Sequence, residues 1–146
     1  MIEKYLVIHP SGKLEWAELE RKPRNDGIFN GEETLNMDDV RKIIGCEWLE
    51  QVHTNVPDVV MLIDETGKIQ QKPKPHNELA FRLYNGWNPI PMDDIVGIAV
   101  LFGLRPTEPL GELDLFPLSF TQLVRVCEKM GIQEIIFEDE EVSDNG

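Results

Sequence analysis

PHNELAFRLYNGWNPIPMDDIVGIAVLFG, residues 75–103, decides how this chain folds. Its second half holds the most hydrophobic run in the sequence, IVGIAVLF at Ile95–Phe102. A half-exposed strand alternates polar and apolar residues. An unbroken run rich in β-branched side chains therefore predicts a central strand covered on both faces. Gly97 interrupts the run without a side chain, which marks a bulge or a close approach, either by a helix packed over it or by a ligand. Asp93 and Asp94 stand at the strand's entrance and Gly103 at its exit. In the first half, Asn77 is a good N-cap, because its side-chain oxygen accepts a backbone N–H of the first helical turn. Leu79, Ala80, Leu83 and Tyr84 follow as a helical stripe, with Gly86 at the C-terminal cap. Trp87-Asn88-Pro89-Ile90-Pro91 reads as a rigid corner, since two prolines remove donors and restrict the residues before them.

Working outward, Tyr5–Ile8 and Leu14–Glu20 form a hairpin around Pro10-Ser11-Gly12. Arg21 to Thr34 reads as a long loop. Asn36 caps a helix that runs through Ile44, with Asp38 and Asp39 in its first turn, Met37, Val40 and Ile44 as its buried stripe, and Gly45 as its stop. Cys46–His53 reads as a strand, and Val59–Ile63 as a second run covered on both faces. Asp64-Glu65-Thr66-Gly67 is a hairpin turn, and Lys68–Gln71 its partner strand. Arg105 to Pro117 is a proline-stiffened loop. Its apolar Leu110–Phe116 segment calls for cover from the domain or from a second subunit. Ser119 and Gln122 form a capping box for the last helix. Phe120, Leu123, Val124, Cys127 and Met130 recur at helical spacing as its core face, and Gly131 ends it. Ile135, Ile136 and Phe137 suit a short edge strand. The order β-β-α-β-β-β-α-β-α predicts an α+β domain, a mostly antiparallel sheet with about three helices packed against it.

The 146 residues carry a net charge of −13 and only two cysteines. That length predicts one domain, over residues 1–137, followed by an acidic flexible tail over 138–146. The N-terminus has no signal-peptide pattern and no apolar run approaches the roughly 20 residues of a membrane helix, so a cytoplasmic location is expected, with both thiols reduced. The negative charge opposes direct nucleic-acid binding but suits an acidic mimic of a phosphate backbone.

The succession VIHPSG, GCEWLEQV, VVMLIDETGK, KPHNELAFRLY and DDIVGIAVLFG resembles the small family designated domain of unknown function 3846. The resemblance covers roughly Lys4 to Gly131. Its most specific parts are Asn77 with Ala80, and Asp94-Ile95-Val96-Gly97 with Gly103; the Arg21–Thr34 loop and the acidic tail stand outside it. It implies a compact domain of phages and bacterial mobile elements, of the kind that acts on host machinery or host signals. It implies no catalytic residue.

The residues themselves disclose no reaction. His9, His53 and His76 are far apart, and no HExxH, paired CxxC, GxSxG, Walker or GxGxxG motif occurs. Neither cysteine has a local basic neighbourhood, and Asp93-Asp94 reads as a strand-entry turn rather than an acid/base pair. One asymmetry remains: Lys68, Lys72, Lys74, His76 and Arg82 face a single acid, Glu78, between residues 68 and 82. The sequence thus predicts an anion site at the Asn77 helix N-terminus, built from Lys72, Lys74, His76, Asn77 and Arg82, with Trp87 as a stacking face. The function expected is a non-enzymatic phage or mobile-element protein, without cofactor or metal, that binds a small anionic host ligand such as a nucleotide signal or inhibits a host defence component. The alternatives are an acidic mimic that blocks a host protein, and a hydrolase with unassigned acid/base residues. Homo-oligomerisation stays open.

Overall fold

The computed structural model describes residues 2–23, 33–67, 69, 70, 72–84, 94–106 and 113–132. Among the described residues, seven strands and three helices follow one another as β1 (Ile2–Ile8), β2 (Leu14–Pro23), β3 (Glu33–Leu35), α1 (Met37–Ile44), β4 (Leu49–His53), β5 (Val59–Asp64), α2 (Glu78–Tyr84), β6 (Ala99–Pro106), β7 (Leu113–Phe116) and α3 (Phe120–Met130). The strands form one sheet in the order β3-β2-β1-β6-β5-β4, with β7 also paired to β6. Every strand pairing in it is antiparallel. The fold is α+β.

Both apolar runs lie at the centre, but the second is a strand only from Ala99: Ile95–Ile98 lead into β6 outside the strand, and β6 continues past the expected exit at Gly103 to Pro106. All six residues of β5 are buried, and so are the first five of β6. Their side chains alternate between two cores. Leu6, Ile8, Met61, Ile63, Ala99 and Leu101 pack on the side of Ala80, Leu83, Val126 and Met130, under α2 and α3. Tyr5, Val7, Val60, Leu62, Val100 and Phe102 pack on the side of Val40 and Ile44, under α1. The molecule is therefore three layers, with the sheet in the middle.

The sheet forks. Val7 and Ile8 of β1 pair with Val100 and Ala99 of β6, after which β7 takes over that edge, pairing with Gly103 to Pro106. β5 holds the opposite edge of β6. The Arg21 side chain from β2, only 4% exposed, spans the fork. Its Nε donates to Glu3 at 2.8 Å and its Nη1 to Asp114 at 3.3 Å. Nη2 donates to the Tyr5 hydroxyl and to the Leu115 carbonyl oxygen, and the guanidinium lies 4.1 Å from the Phe116 ring centre. A buried guanidinium is tolerated only when its charge and donors are met, and here two carboxylates and a carbonyl meet them.

Four local expectations are corrected. Ile69 and Gln70 lie in a turn and bend, with the Ile69 N–H donating to the Thr66 carbonyl, so these two residues do not form the partner strand expected over Lys68–Gln71. The proline-rich loop contains strand β7, and the end of the Arg21–Thr34 loop contains β3; both are short and pair at the fork. In the Leu110–Phe116 segment, Leu115 is buried while Leu113 is 63% exposed. On α3, Phe120 is 81% exposed and Val124 is 41% exposed; the stripe that meets the core is Leu123, Val126, Cys127 and Met130. That set keeps the i, i+3, i+4, i+7 spacing of one helix face, whereas Phe120 and Val124 lie beside it. The capping box of Ser119 and Gln122 is formed, and Gly45 and Gly131 close their helices in the left-handed conformation. The expected edge strand at 135–137, the tail, Lys68, Gln71, Gly86, Trp87, Asp93 and Leu110 lie outside the described residues. Among the described residues, no helix is long and apolar enough to cross a membrane.

Candidate functional site

The segment from Lys72 to Arg82 carries five of the six residues singled out for ligand binding. Pro73 and Pro75 keep its first part extended. It runs beside the approach to β6: the Gly97 N–H donates to the Pro75 carbonyl at 2.8 Å, the Asn77 N–H donates to the Ile95 carbonyl at 2.8 Å, and His76 bridges to Val96. Gly97 is therefore the site of a close approach, as its sequence position foretold, but the approaching element is this extended segment. A Cβ at Gly97 would lie 2.8 Å from the Lys74 Cδ, and φ there is +75°.

The polar groups of the segment turn inward or to one another. Asn77 is fully buried. Its Oδ1 accepts from the Ala80 N–H at 3.2 Å, which makes it the helix cap the sequence predicted. Its Nδ2 donates to the Gly97 carbonyl at 2.8 Å and to the Ile8 carbonyl at 3.0 Å. One amide thus joins α2, the bend before β6 and the end of β1. The Lys74 ammonium contacts Asp64 at 2.9 Å and donates to the carbonyls of Ile44 and Gly45 at 3.1 and 3.0 Å, closing the C-terminus of α1. Burial pushes the Asp64 carboxyl up, but the Lys74 ammonium and the Thr66 backbone and hydroxyl donors outweigh it, so it is held below the usual carboxylate range. Arg82 donates to Glu78 at 3.1 Å and to the Met130 carbonyl at 2.7 Å, closing the C-terminus of α3. His76 is held by Glu78 at 3.0 Å and Asp94 at 2.5 Å; these carboxylates keep its imidazole protonated above its ordinary range. Lys72 is exposed.

The structure therefore gathers Lys74, His76, Asn77 and Arg82 along one segment, yet it aims them at different partners. Lys74 faces α1, Asn77 faces the sheet, and Arg82 faces α3. The Ala80 N–H at the start of α2 is answered by Asn77, and Glu78 already supplies negative charge to its first turn.

Trp48 and Ile69 carry no prominence in the sequence pattern, which places both in strands. Trp48 falls instead in the bend between α1 and β4. Gly45 ends α1 in the left-handed conformation, and Arg41 Nε donates to the Glu47 carbonyl, so β4 starts only at Leu49. The Trp48 carbonyl accepts from the Glu65 N–H at 2.9 Å, and the Ile69 N–H donates to the Thr66 carbonyl at 3.1 Å, which attaches both residues to the same turn after β5. Their side chains are 62% and 81% exposed. Glu47, Glu65, Gln70, Lys42 and Lys72 are exposed near them in the chain. The signal available in the sequence was Trp48 placed three residues after a helix-stopping glycine, with Glu47 before it and Glu50 two residues after it. A second exposed apolar pair, Phe120 and Val124, lies one helical turn apart at the other end of β5, where Gln122 Nε2 donates to the Asp58 carbonyl.

Among the described residues, no three His, Cys, Asp or Glu side chains are gathered to hold a metal ion. Cys46 and Cys127 are free thiols, and burial pushes both up, away from nucleophilic character. Comparison with protein-family models, with curated proteins and with solved structures gave no match.

Proposed function

We propose that this is a non-enzymatic binding domain that docks on a host protein and blocks it, and that the Trp48–Ile69 corner is the docking surface. The observation that carries the reading is an exposed indole and an exposed isoleucine whose backbones are both tied to the turn after β5, Trp48 through Glu65 and Ile69 through Thr66. Tryptophan is the residue type most often found as a binding hot spot, and a mixed-charge rim around an apolar anchor is the usual anatomy of a protein interface. The resemblance to domain of unknown function 3846 supports the setting, a phage or mobile-element accessory protein acting on host machinery. The net charge of −13 supports a partner with a basic surface.

A second reading, capture of a small anionic ligand, is favoured by the exposed Lys72. It ranks lower because Lys74, Asn77 and Arg82 already have internal partners.

The test immobilises the wild type and a Trp48→Ala/Ile69→Ala variant and compares what each retains from host lysate, followed by titration of the retained protein. Docking at this corner predicts a loss of roughly 30-fold or more in affinity, about 2 kcal/mol. A co-purifying nucleotide lost in Lys72→Ala, with no protein lost in the double variant, favours the second reading instead.

A further inference from the structure

We propose that His76 is a pH-operated latch that ties the first turn of α2 to the entrance of β6. The argument starts from valence. Nδ1 of His76 lies 2.5 Å from Asp94 Oδ1 and Nε2 lies 3.0 Å from Glu78 Oε1. Both partners are carboxylate oxygens, which accept only. A neutral imidazole has one N–H and one lone pair, so it satisfies one of them and turns a lone pair on the other. Only the imidazolium donates to both. The arrangement therefore fits the charged ring and penalises the neutral one.

Among the described residues, the charged groups set around the ring agree. From α2 come Glu78 and, behind it, Arg82, whose Nε holds Glu78 Oε2 at 3.1 Å. From the strand entrance comes Asp94, whose Oδ1 also accepts from the Ile95 N–H at 2.9 Å. In the extended segment before the ring, the Lys74 ammonium is held by Asp64. The Phe81 ring packs against the imidazole, centre to centre 5.4 Å, and is itself packed on the core under α2. The carboxylates raise the ring's affinity for its proton, Glu78 first and Asp94 next, against a small opposing effect of burial.

The latch is closed below the raised pKa and opens as pH climbs through it. Opening leaves two carboxylates across a neutral ring, while the backbone pairing of Pro75 with Gly97 and of Asn77 with Ile95 stays in place. The change is thus confined to the Asp94 end, the first turn of α2 and the cover of Phe81. It gives the domain a surface that responds to alkalinity without unfolding.

The test is the titration of the His76 ring protons by NMR in the wild type, Asp94→Asn and Glu78→Gln, with backbone amide exchange of the α2 first turn and Ile95 in parallel. The latch predicts a His76 midpoint above 6.5, the ordinary histidine value, and a lower midpoint in each variant. It also predicts that amide exchange at these positions rises through the midpoint by more than the tenfold per pH unit of base catalysis, and that His76→Gln removes this excess. A wild-type midpoint at or below the ordinary value, or no change in Asp94→Asn, overturns the proposal. Shifted midpoints without any excess exchange overturn it as well, reducing the pair to a surface ion pair.

Discussion

Asn77→Asp separates two roles that one residue can play. Asparagine and aspartate are about equally good N-caps, so a residue that only capped α2 would accept the change with almost no loss. The structure gives Asn77 a second role that aspartate cannot fill. Its Nδ2 supplies two hydrogens, to Ile8 and Gly97 carbonyl oxygens at 3.0 and 2.8 Å, from a fully buried position. Aspartate replaces that donor with an acceptor set against two carbonyls. Each buried carbonyl left without its donor costs about 1–3 kcal/mol, and the carboxylate must be buried unpaired or take up a proton. The expected loss at pH 7 is roughly 3–5 kcal/mol, or roughly 6–20 °C in Tm at 2–4 °C per kcal/mol. Asn77→Ala should lose a similar amount, about 1 kcal/mol of it from the cap. Urea denaturation of the three proteins at pH 7 and pH 5 measures this. The aspartate variant should be no more stable than the alanine variant at pH 7 and should recover in part at pH 5, where its carboxyl is more readily protonated. An aspartate variant within about 1 kcal/mol of wild type would refute the clamp and leave only the cap.

Three further outcomes are expected. Lys74→Met strands the buried Asp64 carboxylate and should cost about 3–5 kcal/mol near neutrality. In the wild type the lowered Asp64 pKa contributes stability above the unfolded carboxyl pKa that is lost as pH falls through the folded value; the variant keeps burial and the Thr66 donors but loses the Lys74 ammonium, so its Asp64 takes up a proton at higher pH than in the wild type, the gap should narrow as pH falls through the carboxylate range, and an unchanged gap would contradict the pairing. Asp58→Gly should stabilise by roughly 0.5–1 kcal/mol in thermal melts, because Asp58 has φ +59° and its contacts with Leu104 and Gln122 run through its backbone carbonyl. Gly103→Ala places a Cβ 2.6 Å from Gln122 Oε1 and 3.3 Å from the Pro117 carbonyl, so it should displace Gln122 from the capping box and cost about 1 kcal/mol or more in urea denaturation.

Much of the fold was legible because its signals are local. Val59–Ile63 and Ala99–Phe102 are continuous apolar stretches that a strand covered on both faces accommodates, whereas Gly97 breaks the first half of the Ile95–Phe102 run and Ile95–Ile98 stay outside the strand. Asn36, Asn77 and Ser119 cap their helices because the cap bond closes within three residues. What escaped was set by distant partners. β3 and β7 are four residues or fewer, and they pair where β1 leaves β6, a fork braced by Arg21 that no local pattern reveals. The face of α3 was misjudged because Phe120 and Val124 share helical spacing with Leu123 and Cys127, and only the position of the sheet decides which flank is buried. The basic stretch was visible, but its partners were not. Asp64 lies ten positions before Lys74, and Met130 lies 48 positions after Arg82. Charge counting therefore finds positive groups without finding what they already hold. Trp48 escaped for the same reason, since its exposure follows from where Gly45 turns the chain.

The central claim is that the Trp48–Ile69 corner, and not the Lys72–Arg82 segment, is the surface offered to a partner. The most direct measurement is backbone amide chemical-shift mapping on addition of the protein retained from host lysate. Docking at the corner predicts perturbations confined to the bend around Trp48 and the turn from Glu65 through Lys72, abolished in Trp48→Ala/Ile69→Ala while the variant's Tm stays close to wild type, as exposed positions allow. Perturbations centred on His76 to Arg82, undiminished in that variant, would contradict the account.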